Sequence, residues 1–282
     1  MFAANAGHRD QVKVLIEKGA DINAMRQDGA TPLATAVLRG DLDTAKLFID
    51  NGSDVNAMGP SGWTPLMAAS QGGNVEIVRL LIDKRADVNA KAKNGWTALM
   101  GAGRNGYPEI VNLLIDRGAD IEASNELDQT VLMAAVAGCD LQAVKSLIDK
   151  GADVNARTKK RASVLMFAIN HAKPGGNLEI IRLVLERGAH VNAATKEGVT
   201  PLMYAAFEGN PEVVRLLVEN GADMNAKVME GGAIEELKIG LSPSGKSFAI
   251  NVTVEDGMTA LGIAEKHGRA QVAQYLRTHG DE

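Results

Sequence analysis

The sequence predicts an all-α solenoid of about eight stacked helix–turn–helix blocks, interrupted near its C-terminal end by a β-hairpin. Three observations predict it. Thr31, Thr64, Thr97 and Thr130 recur at one step (64−31, 97−64 and 130−97 are all 33), Ser163 follows at that step, and Thr200 and Thr259 follow after 37 and 59. A second comb runs through Asn23, Asn56, Asn89, Asn155, Asn192 and Asn225, with Glu122 in its place once. Between residues 227 and 252 the apolar period changes from helical to alternating. Self-similarity at a fixed period outranks other signals, because it sets the architecture before any residue is assigned.

Residues 58–90 give the block in its clearest form. Thr64 is the N-cap of a first helix and Pro65 its first position, where a missing N–H costs nothing. Leu66, Met67, Ala69 and Ser70 fill about two turns with side chains small enough for close helix contact. Gly73 supplies the left-handed conformation that ends this helix, and Asn74 is expected to cap the second, with Glu76 near its positive end. Val75, Val78, Leu81 and Ile82 then make one apolar face. Ala86–Ala90 leaves the helix and Asn94-Gly95 turns into the next copy. A single block has an apolar face with nothing to bury it, so copies must stack.

Taken along the chain, the blocks are a partial one at 1–24, then 25–57, 58–90, 91–123, 124–156, 157–193 and 194–226. The block at 157–193 carries four extra residues around His171-Ala172-Lys173-Pro174. A hairpin insertion at 227–252 precedes a C-terminal capping block at 253–282, whose polar end suits a face exposed to water. In the insertion Leu237, Ile239 and Leu241 alternate with polar or small residues, as do Phe248, Ile250, Val252 and Val254, around the turn composition Ser242-Pro243-Ser244-Gly245. An isolated hairpin is marginal, so its apolar face is expected to pack on neighbouring loops or on a partner.

Thr31-Pro32-Leu33, Thr64-Pro65-Leu66, Thr200-Pro201-Leu202 and Gly-Ala-Asp-Val-Asn-Ala at 151–156 resemble the ankyrin repeat, over all of the chain except 227–252. Departures are Met67, Met100, Met133, Met166 and Met203 where the family often has His, Arg85 after the second helix, and Cys139 where other copies have Gly. The resemblance implies a non-enzymatic scaffold that binds other proteins on a concave groove.

Composition agrees with small helix contacts, since only 4% of residues are aromatic. A net charge of −5 argues against a general polyanion binder, so nucleic acid ranks last among partners. One cysteine gives no disulfide framework, and no apolar run is long enough to span a membrane. No signal peptide is visible, which favours a cytoplasmic location; an exported form stays open because Phe2-Ala3-Ala4 begin inside a block.

No catalytic or metal site is read, and no cofactor. Gly240, Gly245, Lys246 and Ser247 match the phosphate-loop pattern G-x-x-x-x-G-K-[ST]. A working phosphate loop follows a buried strand and opens a helix, whereas Lys246 is followed by a strand-like run, so the match is read as chance. Cys139 lacks a neighbouring His, and the five histidines show no ligand spacing.

Partner-contacting candidates are the side chains free of structural duty. At loop tips these are Trp63, Lys91, Lys93, Trp96, Arg157, Lys159, Lys160 and Arg161; on first-helix faces they are Arg104, Phe167, Tyr204 and Phe207. Trp63 and Trp96 are one block apart (96−63 = 33), so their rings either lie side by side at the loop tips or each pack against the next loop. Phe167, Tyr204 and Phe207 are expected to point away from the core, under the hairpin. Aromatic and Arg side chains are what binding hot spots are made of. The expected partner is another protein with an acidic or mixed acidic-aromatic surface, bound by a monomer. Two other readings stay open, a ligand or catalytic role built around the hairpin and an oligomerising role for its edge.

Overall fold

The computed structural model describes residues 1–27, 29–170, 178–229 and 254–280, together with the backbone of 233–235 and 251–253. It divides into two compact bodies, Met1–Glu126 and Leu127–Glu282. The N-terminal body holds α1 (Phe2–Ala6), α2 (Arg9–Glu17), α3 (Pro32–Leu38), α4 (Leu42–Asp50), α5 (Pro65–Gly72), α6 (Val75–Asp83), α7 (Ala98–Arg104) and α8 (Pro108–Asp116). The C-terminal body holds α9 (Val131–Gly138), α10 (Leu141–Asp149), α11 (Val164–Asn170), α12 (Leu178–Glu186), α13 (Pro201–Glu208), α14 (Pro211–Glu219), the short strands β1 (Ala233–Glu235) and β2 (Asn251–Thr253), α15 (Ala260–Lys266) and α16 (Ala270–His279).

Within each body the first helices of the blocks form one row and the second helices another. In the first body α3, α5 and α7 follow one another, backed by α4, α6 and α8; in the second, α9, α11, α13 and α15 are backed by α10, α12, α14 and α16. Each first helix starts where the Thr comb predicts. Thr31, Thr64, Thr97, Thr130, Ser163, Thr200 and Thr259 each accept a hydrogen bond from the amide three residues on, at 3.1–3.4 Å. Such a cap contributes about 1 kcal/mol. Gly73 ends α5 at φ 75°, as its position requires.

Two local expectations are corrected. Asn74 stands at the N-cap of α6 but makes no side-chain cap bond. Its amide oxygen lies instead against the preceding block, 2.9 Å from where a Cβ on Gly40 would fall. On α6 the buried face is Ile77, Val78 and Leu81, while Val75 and Ile82 are only half-buried. The helix turns its Ile-Val pair toward the first-helix row and leaves its ends to the neighbouring second helices.

The Asn comb is the bracket between blocks. In the first body the Asn56 amide donates to Arg85 O (3.3 Å) while its carbonyl accepts from Asp87 N (2.8 Å); Asn89 does the same with Gly118 O and Asp120 N. In the second body Asn155 holds Gly188 O and His190 N, and Asn192 holds Gly221 O and Asp223 N. One short amide thus satisfies a donor and an acceptor of the next copy, which is why the residue repeats. Loop tips add one backbone bond per step, Lys93 N to Ser61 O and Glu126 N to Asn94 O in the first body, then Lys159 N to Leu127 O, Lys196 N to Lys160 O and Met229 N to Glu197 O in the second.

The interruption lies inside the last loop tip. Val228 donates to Met258 O and accepts from Gly257 N, so the turn closes across the extra residues. Backbone pairing of β1 with β2 is antiparallel, Ala233 opposite Thr253 and Glu235 opposite Asn251. The rest of the expected hairpin, residues 236–250, lies outside the described residues, and with it the phosphate-loop match at 240–247.

Candidate functional site

The loop tips are tight turns built to one plan. At 92–96, Gly95 N donates to Ala92 O and Ala92 N to Trp96 O, both at 2.8 Å. At 158–162, Arg161 N donates to Thr158 O (2.7 Å) and Thr158 N to Ala162 O (3.1 Å). The third tip residue takes positive φ in every copy, and it is Gly29, Gly62, Gly95, Gly198 and Gly257 but also Asp128 (57°) and Arg161 (64°). Asp tolerates that region through local hydrogen bonding; an Arg there carries about 1 kcal/mol or more of strain. Arg85 (68°) and Cys139 (63°) take the same conformation at second positions where other copies have Gly.

Placed on this frame, the predicted candidates separate into buried and accessible sets. Trp96 (1% exposed), Phe167 (0%) and Tyr204 (1%) are core residues, which corrects the expectation that they face outward. The indole of Trp96 lies against Gly101, and the loop at Asn125 closes over its turn so tightly that a Cβ on Gly95 would stand 2.7 Å from Asn125 Cα. Phe167 and Tyr204 follow Leu-Met on α11 and α13, and that position is the contact between successive first helices; large rings fill there what Ala134 fills on α9. Sequence missed this because small residues in other copies make the position look optional. No ring contact joins Trp63 and Trp96 among the described residues, and Trp63 is half-buried. Phe207 is half-buried in edge contact with the His267 ring, 4.9 Å between centroids, and the hairpin residues expected to cover it lie mostly outside the described residues.

The cationic candidates stay accessible. In the first body Lys91 and Lys93 are exposed and Arg104 is half-buried. In the second, Lys159, Lys160 and Arg161 are exposed, while Arg157 is half-buried and donates to Ala194 O at 3.0 Å. Burial, helped by the neighbouring Arg161 charge, holds the Arg157 guanidinium below its ordinary pKa. A cavity of about 650 Å³ opens beside this turn, lined by Arg157, Arg161, His190–Lys196 and Met229. Four cations pair with an Asp of the neighbouring block, Arg9 with Asp43, Lys84 with Asp50, Arg117 with Asp83 and Arg187 with Asp149, at 2.7–3.2 Å.

Ankyrin-repeat models match this arrangement in sequence, the three-copy model over residues 1–92, 35–125, 87–158 and 131–228 and the many-copy model over 205–277. The chain belongs to the ankyrin-repeat family. Among solved structures, the crystal structure of the human ASB11 ankyrin repeat domain superposes with a TM-score of 0.70 at 24% identity, covering 78% of this chain and 96% of that one. That likeness shows the fold. No curated protein matches the chain. As an ankyrin-repeat domain it falls in a class that typically mediates protein–protein interaction and is generally non-catalytic. No helix among the described residues is long and apolar enough to cross a membrane.

Proposed function

We propose that this ankyrin-repeat chain is a non-enzymatic scaffold whose loop tips, in each body, bind acidic segments of partner proteins. The supporting observation is the contrast in charge. On a chain with net charge −5, Lys91, Lys93, Lys159 and Arg161 stand exposed on or beside turns closed by backbone bonds. Preformed turns present these charges without a backbone ordering cost on binding. Trp63 and Phe207 add half-buried apolar contact beside them. Trp96, Phe167 and Tyr204 are left out of this surface because they are buried.

The test is affinity purification of the full chain from its source lysate, side by side with Lys91→Glu/Lys93→Glu and Lys159→Glu/Arg161→Glu. Charge reversal is expected to lose specific partners with folding unchanged by circular dichroism. Capture of the same set by both variants refutes the loop-tip reading.

A further inference from the structure

The cavity beside the turn at 158–162 combines four cationic or ionisable residues from two successive loops with one apolar wall. Arg157 and Arg161 come from one tip, and His190 and Lys196 from the loop of the next block. Met229 stands more than half exposed at the rim, held by its amide to Glu197 O at 2.9 Å. Gly198 lets it approach, since a Cβ there would fall 3.1 Å from the Met229 side chain. Among the described residues no carboxylate pairs with Arg161 or Lys196, and the two loops are joined by Lys196 N to Lys160 O at 3.3 Å and by the Arg157 guanidinium to Ala194 O at 3.0 Å.

Backbone strain is the second, independent observation. The tip position that Arg161 fills is glycine at 29, 62, 95, 198 and 257 and Asp at 128, all with positive φ, and glycine is the unstrained solution there. An Arg held at 64° keeps a charge at the cavity mouth against a steric penalty. Strain of this kind clusters at ligand sites, and here it coincides with a cavity and unpaired charge.

We infer that this cavity receives a phosphorylated side chain carried by an extended segment of the partner, with Arg161 and Lys196 gripping the phosphate and Met229 meeting an adjacent apolar residue. A carboxylate carries one charge and two oxygens, which leaves a site of this many cations under-neutralised; a phosphate monoester brings up to two charges and three strong acceptors. A nucleic acid is disfavoured because a backbone polyanion needs a long track of cations, and the chain as a whole carries a net charge of −5. The inference rests on the proposed scaffold reading and adds the chemistry of what one tip recognises.

Binding of the full chain to degenerate peptide pools with a fixed central phosphoserine, glutamate or serine tests it. The phosphoserine pool is expected to bind at least about tenfold tighter than the other two. Arg161→Gly and Lys196→Ala should each lose at least about tenfold of that preference, while Arg85→Gly, at the same φ on another loop, should keep it. Arg161→Gly also separates recognition from folding, because its melting temperature should hold or rise by about 1–3 °C as strain is released. Equal binding of the glutamate pool overturns the phosphate assignment and leaves the acidic-segment scaffold standing. Unchanged preference in Arg161→Gly and Lys196→Ala overturns the assignment of the cavity. Absence of binding to all three pools overturns the inference, and the lysate comparison with Lys91→Glu/Lys93→Glu then decides the scaffold reading separately.

Discussion

The turn at 92–96 and the turn at 158–162 occupy the same place in their blocks and close with the same pair of backbone bonds, yet the first ends in a buried ring and the second displays an Arg. At the first, Gly95 is roofed by the next loop, whose Glu126 amide reaches Asn94 O at 3.1 Å, and the following residue, Trp96, is driven inside. At the second, an Arg takes the glycine position, the following residue is the small Ala162, and the equivalent step to the next loop lengthens to 3.3 Å. The difference teaches that the repeat specifies a turn, while the fit of the neighbouring loop decides whether that turn carries structure or recognition. A roof within van der Waals contact leaves room only for glycine; a looser step leaves a cavity.

That comparison breaks first at Trp96. Trp96→Ala should cost about 3–5 kcal/mol in denaturant unfolding, as a truncated buried aromatic does. Trp96→Phe should cost much less, because the indole N–H is buried without a hydrogen-bond partner among the described residues and its loss frees a donor that earns nothing. A loss under about 1 kcal/mol for Trp96→Ala would mean the ring is not core. Next comes the roof itself. Gly95→Ala should destabilise by about 2–3 kcal/mol, summing left-handed strain with a backbone clash, measured in the same assay. The smallest effect sharpens the other side, where Arg161→Gly and Arg85→Gly should each stabilise by about 0.5–1 kcal/mol, strain relief partly offset by a freer unfolded chain. A destabilised Arg161→Gly would show that the side chain is a packing element and not a displayed charge.

Most of the scaffold was legible in the sequence because its signals are local. A Thr three residues before an amide caps whatever the rest of the chain does, and Gly73 takes positive φ for its own steric reasons. The positive φ at Arg85 could be read from the copies that place Gly there. The candidate site was only half legible. Exposed lysines on turns follow from composition and position, but the burial of Phe167 and Tyr204 depends on the gap between successive first helices, and that gap is set by both neighbours at once. Arg161 as a strained residue was missed although the signal was present, since lining up 29, 62, 95, 161 and 198 exposes it. The role of the Asn comb was missed too, because a side chain that bonds the following block shows its period but not its partner.

The closure at Val228 has one more consequence. Its two bonds to Gly257 and Met258 join the ends of the interruption directly, so the helix rows read on as if the intervening residues had zero length. Lengthening such a closed detour costs only logarithmically, about 0.6 kcal/mol per doubling. The last loop tip is therefore the place where an insertion of altered length is expected to leave the register of α15 and α16 unchanged.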